Sequence, residues 1–456
     1  MNQHRADICV VGLGAAGLGA ALALARSEYT SRVVCFEAGL GVEQRSCPIL
    51  LGSECCRDEP CKVIAGIGGS SLLSGCKIST YPAGRAMARF LGGPEQTREC
   101  LSAGLDLFRG FVPVIEPETS QSDLQRASET YARKGFEFRY YDSHICRRDD
   151  LARGYEKMLS EITTAGISVE LGTRVSRIET AGTRFLLLCE SKDMHMECSC
   201  DTLLLAVGRS GAGLLNSIAD LLGDDAGPDQ CDVGVRLEFP TSVWPGIDQN
   251  HNDLKLQFGK ARTFCVCKDG QLAPYRLDRL LFVDGHVDLD HPSGLTNLAV
   301  TVRHQMTQAD KGALISEITR RTLAHGGGRP IRQHLPDFLA SSQSPTSTDV
   351  EPASIAYWSL GDVAGCFPEV MADAIREAVG YFVSRLVPPR AYPSVSVFAP
   401  ELEYYWPRLP LSSAFSSRRP GVFLIGDCSG QFRGILQAFC SGWVCAQHVL
   451  GDQDGR

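Results

Sequence analysis

Residues 12–17 read Gly12-Leu13-Gly14-Ala15-Ala16-Gly17. They lie between an apolar run at 7–11 (DICVV) and a helix-forming stretch ending near residue 27. A second apolar run at 32–36 (RVVCF) ends at Glu37. Strand, Gly-rich turn, helix, strand and acid, in that order, suit a dinucleotide. Gly12 permits the tight turn, Gly14 lets the backbone approach a pyrophosphate, and Gly17 allows close helix–strand packing. Free amides at the helix start, around Ala15 and Ala16, and the positive dipole end would face the phosphates. Glu37 stands where a carboxylate accepts from the adenosine ribose hydroxyls, which argues against a ribose 2′-phosphate. These residues leave FAD and NAD both open.

The other end of the chain separates them. GVFLIGDCSG at 421–430 reads as an apolar strand ending in Gly426-Asp427, then a small-residue turn and an apolar helix from Gly434. In this arrangement Asp427 would bind the ribityl chain of a flavin. The backbone at Gly434 and Ile435 would face the pyrimidine ring and stabilise the charge that reduction places there. The bland alternative is a strand–turn–helix with an Asp cap. GIGGSSLLSGCK at 66–77 is a second backbone-rich segment. There Gly68, Gly69, Ser70 and Ser71 would let a planar ring lie against main chain, unless the segment is an unrelated turn. Gly208, at the end of the strand-like DTLLLAVG (201–208), and Val175 complete the expected FAD contacts.

Three side chains are candidates for chemistry. Lys77 would stabilise reduced flavin or hold an anionic substrate, or be a solvated surface lysine. Arg209 would touch the cofactor or a substrate carboxylate. His286, after an apolar run, would be a proton donor beside the flavin, because histidine is easily tuned near neutrality. The structural alternative is a hydrogen-bonded core histidine. Cys47, Cys55, Cys56 and Cys61 lie close together in CPILLGSECCRDEPC. Four thiols can hold zinc or an iron–sulfur cluster, act in redox chemistry, or be structural. The neighbouring Cys55-Cys56 side chains diverge and ferredoxin spacing is missing, so no metal is assigned. Cys265 and Cys267, in RTFCVCKDG, fall at i and i+2 of a strand and share one face. That geometry suits neither a disulfide between them nor a helical CxxC redox motif, and they read as apolar packing residues, one of which could line a substrate cavity.

These residues need a scaffold. At 456 residues, 44% of them hydrophobic and 21% charged, the chain can build more than one globular unit. Net charge is −8, so nothing general points to nucleic acid or an acidic membrane. No apolar run reaches the length of a membrane span, and no cleavable apolar stretch follows Met1. The 19 cysteines in so long a chain read as reduced thiols, which places the protein in the cytoplasm. The predicted fold class is α/β. It comprises a Rossmann-like FAD-binding domain (three-layer, mostly parallel sheet with a β-meander insertion) and a mixed α+β substrate or cap domain. The FAD domain is expected at 1–110, 150–212 and 415–456, with 111–149 an excursion and 213–414 the second domain. Helices are expected at 154–165, 300–323 and 373–386, and a polar linker at 341–354.

The chain resembles the two-domain FAD-dependent oxidoreductases of the glutathione-reductase-like nucleotide fold. The matching pieces are VGLGAAGLG with Glu37, LLLAVGRSG at 203–211 and VFLIGDCSG at 422–430. More narrowly, it is similar to a group of bacterial FAD-dependent dehydrogenases. That likeness runs through residues 66–77, GVRLEFP (234–240), KARTFCVCKDG (260–270) and VDGH (283–286). Ser74-Gly75-Cys76-Lys77 stands where that group tends to have Ser-Asp-Gly-Lys, so roles do not transfer there. The resemblance implies hydride transfer between a small organic substrate and flavin N5, and a specialised biosynthetic role. A flavin monooxygenase using oxygen is the alternative. The middle of the chain carries no second Gly-rich fingerprint, which argues against a dedicated NAD(P)H domain. NAD(P)H stays open as a transient donor or acceptor, and the oligomeric state stays open too.

Overall fold

In the computed structural model, which describes residues 2–28, 32–192, 194–222, 229–244, 253–277, 279–342, 352–403, 406 and 408–454, five strands form a parallel sheet. Their order is Val422–Leu424, Thr202–Leu205, Ile8–Val11, Val33–Glu37 and Ser168–Leu171. The central ICVV strand is buried along its whole length, as a parallel sheet covered on both faces requires. One face is covered by Ala15–Ala25 and Ile435–Asp454. The first of these helices, AAGLGAALALA, is apolar all round and buried nearly throughout, which fits a helix enclosed between a sheet and a second helix.

The contact between those two helices is close enough to exclude side chains. A Cβ on Gly442 would come within 1.9 Å of the Ala16 carbonyl oxygen, and one on Gly19 within 2.2 Å of the Phe439 oxygen. Both glycines therefore set the distance at which chain start and chain end meet.

A second layer is an antiparallel meander of Arg174–Ala181, Arg184–Glu190 and His195–Cys200. Asn2–Arg5 adds to it in parallel, so the polar residues before the first apolar run are a strand too. The second domain is built on an eight-stranded mixed sheet. Its order is Ser359–Leu360, Ile331–His334, Ser396–Glu403, Asp229–Pro240, Leu295–Met306, Ala261–Cys267, Lys255–Phe258 and Glu137–Arg139. Helices Gln308–Gly326 and Glu369–Leu386 pack against it. The architecture is thus two-domain α/β, with a Rossmann-like parallel sheet and a separate mixed α+β domain.

The expected helix at 300–323 starts too early. Leu295–Met306 is a strand, paired with Asp229–Pro240 and Ala261–Cys267. The helix begins only after Thr307, whose side chain closes a capping box with Asp310. The β-branched run before it prefers the pleated surface. The segment at 111–149 sends Glu137–Arg139 to the edge of the large sheet and pairs Ser143–Ile145 with Lys77–Ser79. Most of the polar linker expected at 341–354 lies outside the described residues.

Gly442→Ala should destabilise the protein by about 1–3 kcal/mol through overpacking of the two helices. Gly312→Ala, at a helical site with nothing within 4 Å of the new Cβ, should instead be neutral or add up to about 1 kcal/mol. Urea unfolding of the two variants checks both signs.

Candidate functional site

The ends of four parallel strands open onto one cavity of about 820 Å³. From the Gly-rich turn it is lined by Gly12, Gly14, Ala15 and Ala16, with Glu37 at the end of the next strand. Gly68, Gly69, Ser70 and Ser71 line it too, as do Val175, Gly208, Gly426, Asp427, Gly434 and Ile435. Gly17 lies beneath the turn and does not line it. Of the candidates for chemistry, Lys77 and Arg209 line the cavity, and His286 does not.

The Gly-rich turn and the 61–69 loop are held together by buried charges. Glu37 accepts from Leu13 N at 2.6 Å on Oε2, and from Gly39 N at 2.8 Å and Gly66 N at 2.9 Å on Oε1. Sequence reasoning missed Arg45. It is buried, and its guanidinium donates to the carbonyls of Lys62 (3.1 and 2.8 Å), Val63 (3.1 Å), Ile67 (2.6 Å) and Gly69 (2.7 Å). Burial draws its pKa down to about 10 against the pull of Glu37. A strand-like bridge between Gly14 and Gly68 joins the two segments. Ser71 Oγ donates to Gly68 O at 2.6 Å and lies 2.6 Å from the Tyr155 hydroxyl. The first turn of the helix after Gly14 has no acidic residue and no side-chain cap, so its amides are open to an anion.

Where the second domain meets this cavity, charges crowd together. Arg236 is fully buried and grips Glu401 with two bonds, Nε at 2.8 Å and Nη2 at 2.7 Å. It also donates to Asn297 Oδ1 at 2.8 Å, Cys265 O at 3.1 Å and Asp284 Oδ1 at 3.4 Å. Arg209 lies 3.5 Å from Asp284, 3.9 Å from Glu403 and 3.5 Å from Asp427, between the rings of Tyr275 and Trp406. Arg433 pairs with Glu403. Burial works against the charge of Asp284, but Arg209 and Arg236 hold its carboxyl below the usual range. Its other oxygen accepts from Ser74 Oγ at 2.8 Å. Asp284, Glu401 and Glu403 are the one group of three converging metal-type ligands among the described residues. Three arginines already compensate them.

Lys77 is not a solvated surface lysine. It is buried, donates to Val266 O and faces Asp253 at 3.7 Å. Burial opposes its charge, yet Asp253 keeps its pKa above the ordinary lysine value. Asp427 is pushed up to about 6, first by burial and against Arg209. Its Oδ1 is buried without a hydrogen-bond partner among the described residues.

The expectation for His286 as a proton donor beside the flavin needs correction. The ring is fully buried behind Ser74 and Gly75, its Nδ1 accepts from Gly75 N at 3.4 Å, and burial lowers its pKa to about 4. The ring is uncharged near neutrality and does not line the cavity, as the alternative of a hydrogen-bonded core histidine has it. The cysteines at 47–61 follow an irregular loop. Cys47 is buried, Cys55 and Cys61 half-buried and Cys56 exposed, and no three of their sulfurs converge as a ligand group. The loop docks on the second domain instead. Arg276 N donates to Cys61 Sγ at 3.3 Å, and its guanidinium binds Arg57 O, Asp58 O and Glu59.

No protein-family model matches the chain. It is similar to an uncharacterised protein of Clostridium beijerinckii, 22% identical over 485 residues that span 98% of this chain and 81% of that protein. Among solved structures, it is similar to a geranylgeranyl bacteriochlorophyll reductase-like protein from Thermoplasma acidophilum. That pair has 10% identity and a TM-score of 0.43 over 99% of this chain and 80% of the other. Glycine oxidase from Geobacillus kaustophilus gives 14% and 0.42 over 98% and 95%. A flavoprotein/dehydrogenase from Cytophaga hutchinsonii gives 13% and 0.42 over 99% and 79%.

Two measurements follow from this geometry. Arg45→Lys replaces a fork by a point donor and leaves carbonyls of the 61–69 loop unmatched. It should cost about 3 kcal/mol in urea unfolding. His286 has a folded pKa below its unfolded value, so its contribution to stability is present above about pH 6.5 and is lost as pH falls toward 4. His286→Gln should flatten that part of the stability–pH curve, by about 3 kcal/mol at most.

Proposed function

We propose that the protein is an enzyme, an FAD-dependent dehydrogenase or reductase that passes hydride between a small organic substrate and flavin N5. The observation that carries this reading is Asp427 Oδ1. A buried carboxylate oxygen left without a donor is costly. Its residue, Asp427, lines the cavity that the Gly-rich turn also lines. A ribityl hydroxyl would satisfy it.

The residues present fit a flavin dinucleotide. The amides of Gly14, Ala15 and Ala16 would hold the diphosphate at the open helix start. Glu37 has about four acceptor positions, and the three backbone bonds leave one for a ribose hydroxyl. Gly68, Gly69, Ser70 and Ser71 would lie against the ring on one side, and Gly434 and Ile435 would offer backbone to its pyrimidine end. Gly12, Val175, Gly208 and Gly426 would complete the wall. Bound flavin supplies a two-electron redox centre.

Lys77 and Arg209 would act at the inner end. Both are held in place by carboxylates, so each presents a fixed positive charge with little reorganisation. They would orient an anionic group of the substrate and favour the reduced, negatively charged flavin. Residues 1–110, 150–212 and 415–456 would then form the cofactor side and 213–414 the substrate side, with NAD(P)H as a transient partner. Among the described residues no helix is long and apolar enough to cross a membrane.

The purified protein should absorb as a flavoprotein and release FAD on denaturation. Colourless protein that takes up no added FAD overturns the reading. Asp427→Ala should weaken FAD binding about tenfold, the worth of one buried hydrogen bond, read by fluorescence titration. Under anaerobic conditions substrate or NAD(P)H should still reduce the flavin. Entry of one oxygen atom from O₂ into product would assign the enzyme to the monooxygenases instead.

A further inference from the structure

Cys265 and Cys267 sit where an alternating strand would not bring them. In a regular strand, side chains at i and i+2 stand roughly 6–7 Å apart along the chain. Here Phe264 pairs with Ala299 and Cys267 with Asn297, so one extra residue is inserted as a bulge. Cys265 takes a φ of 47°, a left-handed conformation uncommon for any residue but glycine. The two Sγ atoms come to 3.7 Å. A disulfide needs about 2.05 Å, so a small movement closes the bond.

Their surroundings differ from those of the other cysteines. Cys265 lines the large cavity and is half-buried, while Cys267 is fully buried behind it. Cys9 and Cys198 also lie 3.7 Å apart, but both are buried in the core and neither lines the cavity. Charges from several elements surround Cys265. Lys77 donates to the carbonyl of Val266, between the two cysteines, and Arg236 donates to the carbonyl of Cys265 at 3.1 Å. Asp253 accepts from Val266 N at 3.1 Å, and Asp284 adds an opposing negative charge. The Cys267 thiol as donor, with Lys77 and Arg236, outweighs burial and Asp284. Together they draw the Cys265 thiol below the usual range. Cys267 is pushed the other way by burial and by its neighbour. One sulfur lines the cavity, and the other lies in reach behind it.

We propose that Cys265 and Cys267 form a thiol–disulfide exchange site whose ligand is a small organic disulfide entering the cavity. The Cys265 thiolate attacks one sulfur of the ligand. The ligand's S–S bond breaks, one half leaves as a thiolate, and the other half remains in a mixed disulfide on Cys265. Cys267 then attacks Cys265 Sγ and gives up its proton. The Cys265–Cys267 bond forms, and the second half of the ligand leaves. The ligand gains two electrons and ends as one thiol and one thiolate, while the protein pair loses two.

The test uses the protein as purified and the neutral chromogenic disulfide dithiodipyridine, at about pH 6. There the exposed Cys56, whose pKa is raised, is protonated and slow. Trypsin cuts after Arg262 and Lys268, so one peptide, 263–268, carries both cysteines. In the wild type this peptide should be recovered two hydrogens lighter, with both halves of the probe released in a fast phase. Cys267→Ser should release one half and keep the other on Cys265. Cys265→Ser should slow the fast phase at least about tenfold. A wild-type peptide with both thiols free, or with the probe still on Cys265, overturns the proposal. If Cys267→Ser fails to fold, Cys267→Ala replaces it, and the wild-type peptide mass decides in either case. Neither readout requires flavin, so a protein that binds no FAD would sink the flavin reading and leave this test intact.

Discussion

Two buried side chains of opposite charge, Glu37 and Arg45, shape the half of the cavity that the first domain supplies. Glu37 gathers amides from three separate places in the chain, at Leu13, Gly39 and Gly66. Arg45 gathers the carbonyls of the loop that follows. A Gly-rich loop loses more conformational entropy on ordering than any other. Here that loss is offset by charge-assisted hydrogen bonds, each worth about 1.5–3 kcal/mol. The loop gains a fixed shape without bulky side chains, which keeps its main chain accessible from the cavity.

The second domain meets the same cavity with a different device. Arg236, Arg209 and Arg433 lie among Glu401, Asp284, Glu403 and Asp427. Burying so many charges is costly, and such networks stabilise little compared with an apolar core of the same size. Their use lies in geometry. Arg236 reaches the strand Ser396–Glu403, the carbonyl of Cys265 and Asn297 at once. It thus locks the bulge on one strand to the carboxylates of another. Paired charges also hold still, and a group that need not reorganise is the kind that can stabilise developing charge.

The sequence made local features legible and left the long-range ones hidden. The Gly-rich turn, its strand and helix, and the Gly426-Asp427 strand end are written in contiguous residues, and they fall where the pattern puts them. Arg45 could not be read, because its partners are backbone carbonyls and carry no side-chain signature. The Arg236–Glu401 pair joins residues far apart in sequence on neighbouring strands, and nothing in spacing points to it. A charged residue inside the apolar run GVRLEFP was the only available signal. For His286 the spacing left a proton donor and a core histidine both open, and only its burial and its bond from Gly75 N favour the second. Cys265 and Cys267 were legible as a pair but not as neighbours in space, since a bulge breaks the period of two on which such a reading depends.

The convergence itself follows from the direction of the strands. In a parallel sheet all carboxyl ends lie along one edge, and ligands of open α/β folds bind in the crevice outside that edge. Gly12, Glu37, Gly208 and Gly426 each lie at or just past such an end, so residues from the start, middle and close of the chain must meet there. The long insertion between Thr202–Leu205 and Val422–Leu424 does not disturb this. Loop closure costs grow only slowly with length, and the inserted residues supply every strand but the Glu137–Arg139 edge of a second sheet. That sheet places the bulge of Ala261–Cys267 over the same crevice, where Lys77, at the start of the short strand Lys77–Ser79, reaches across to Val266. One edge of one sheet therefore selects which residues of the second domain can do chemistry: those, like Asp284 and Cys265, that face it.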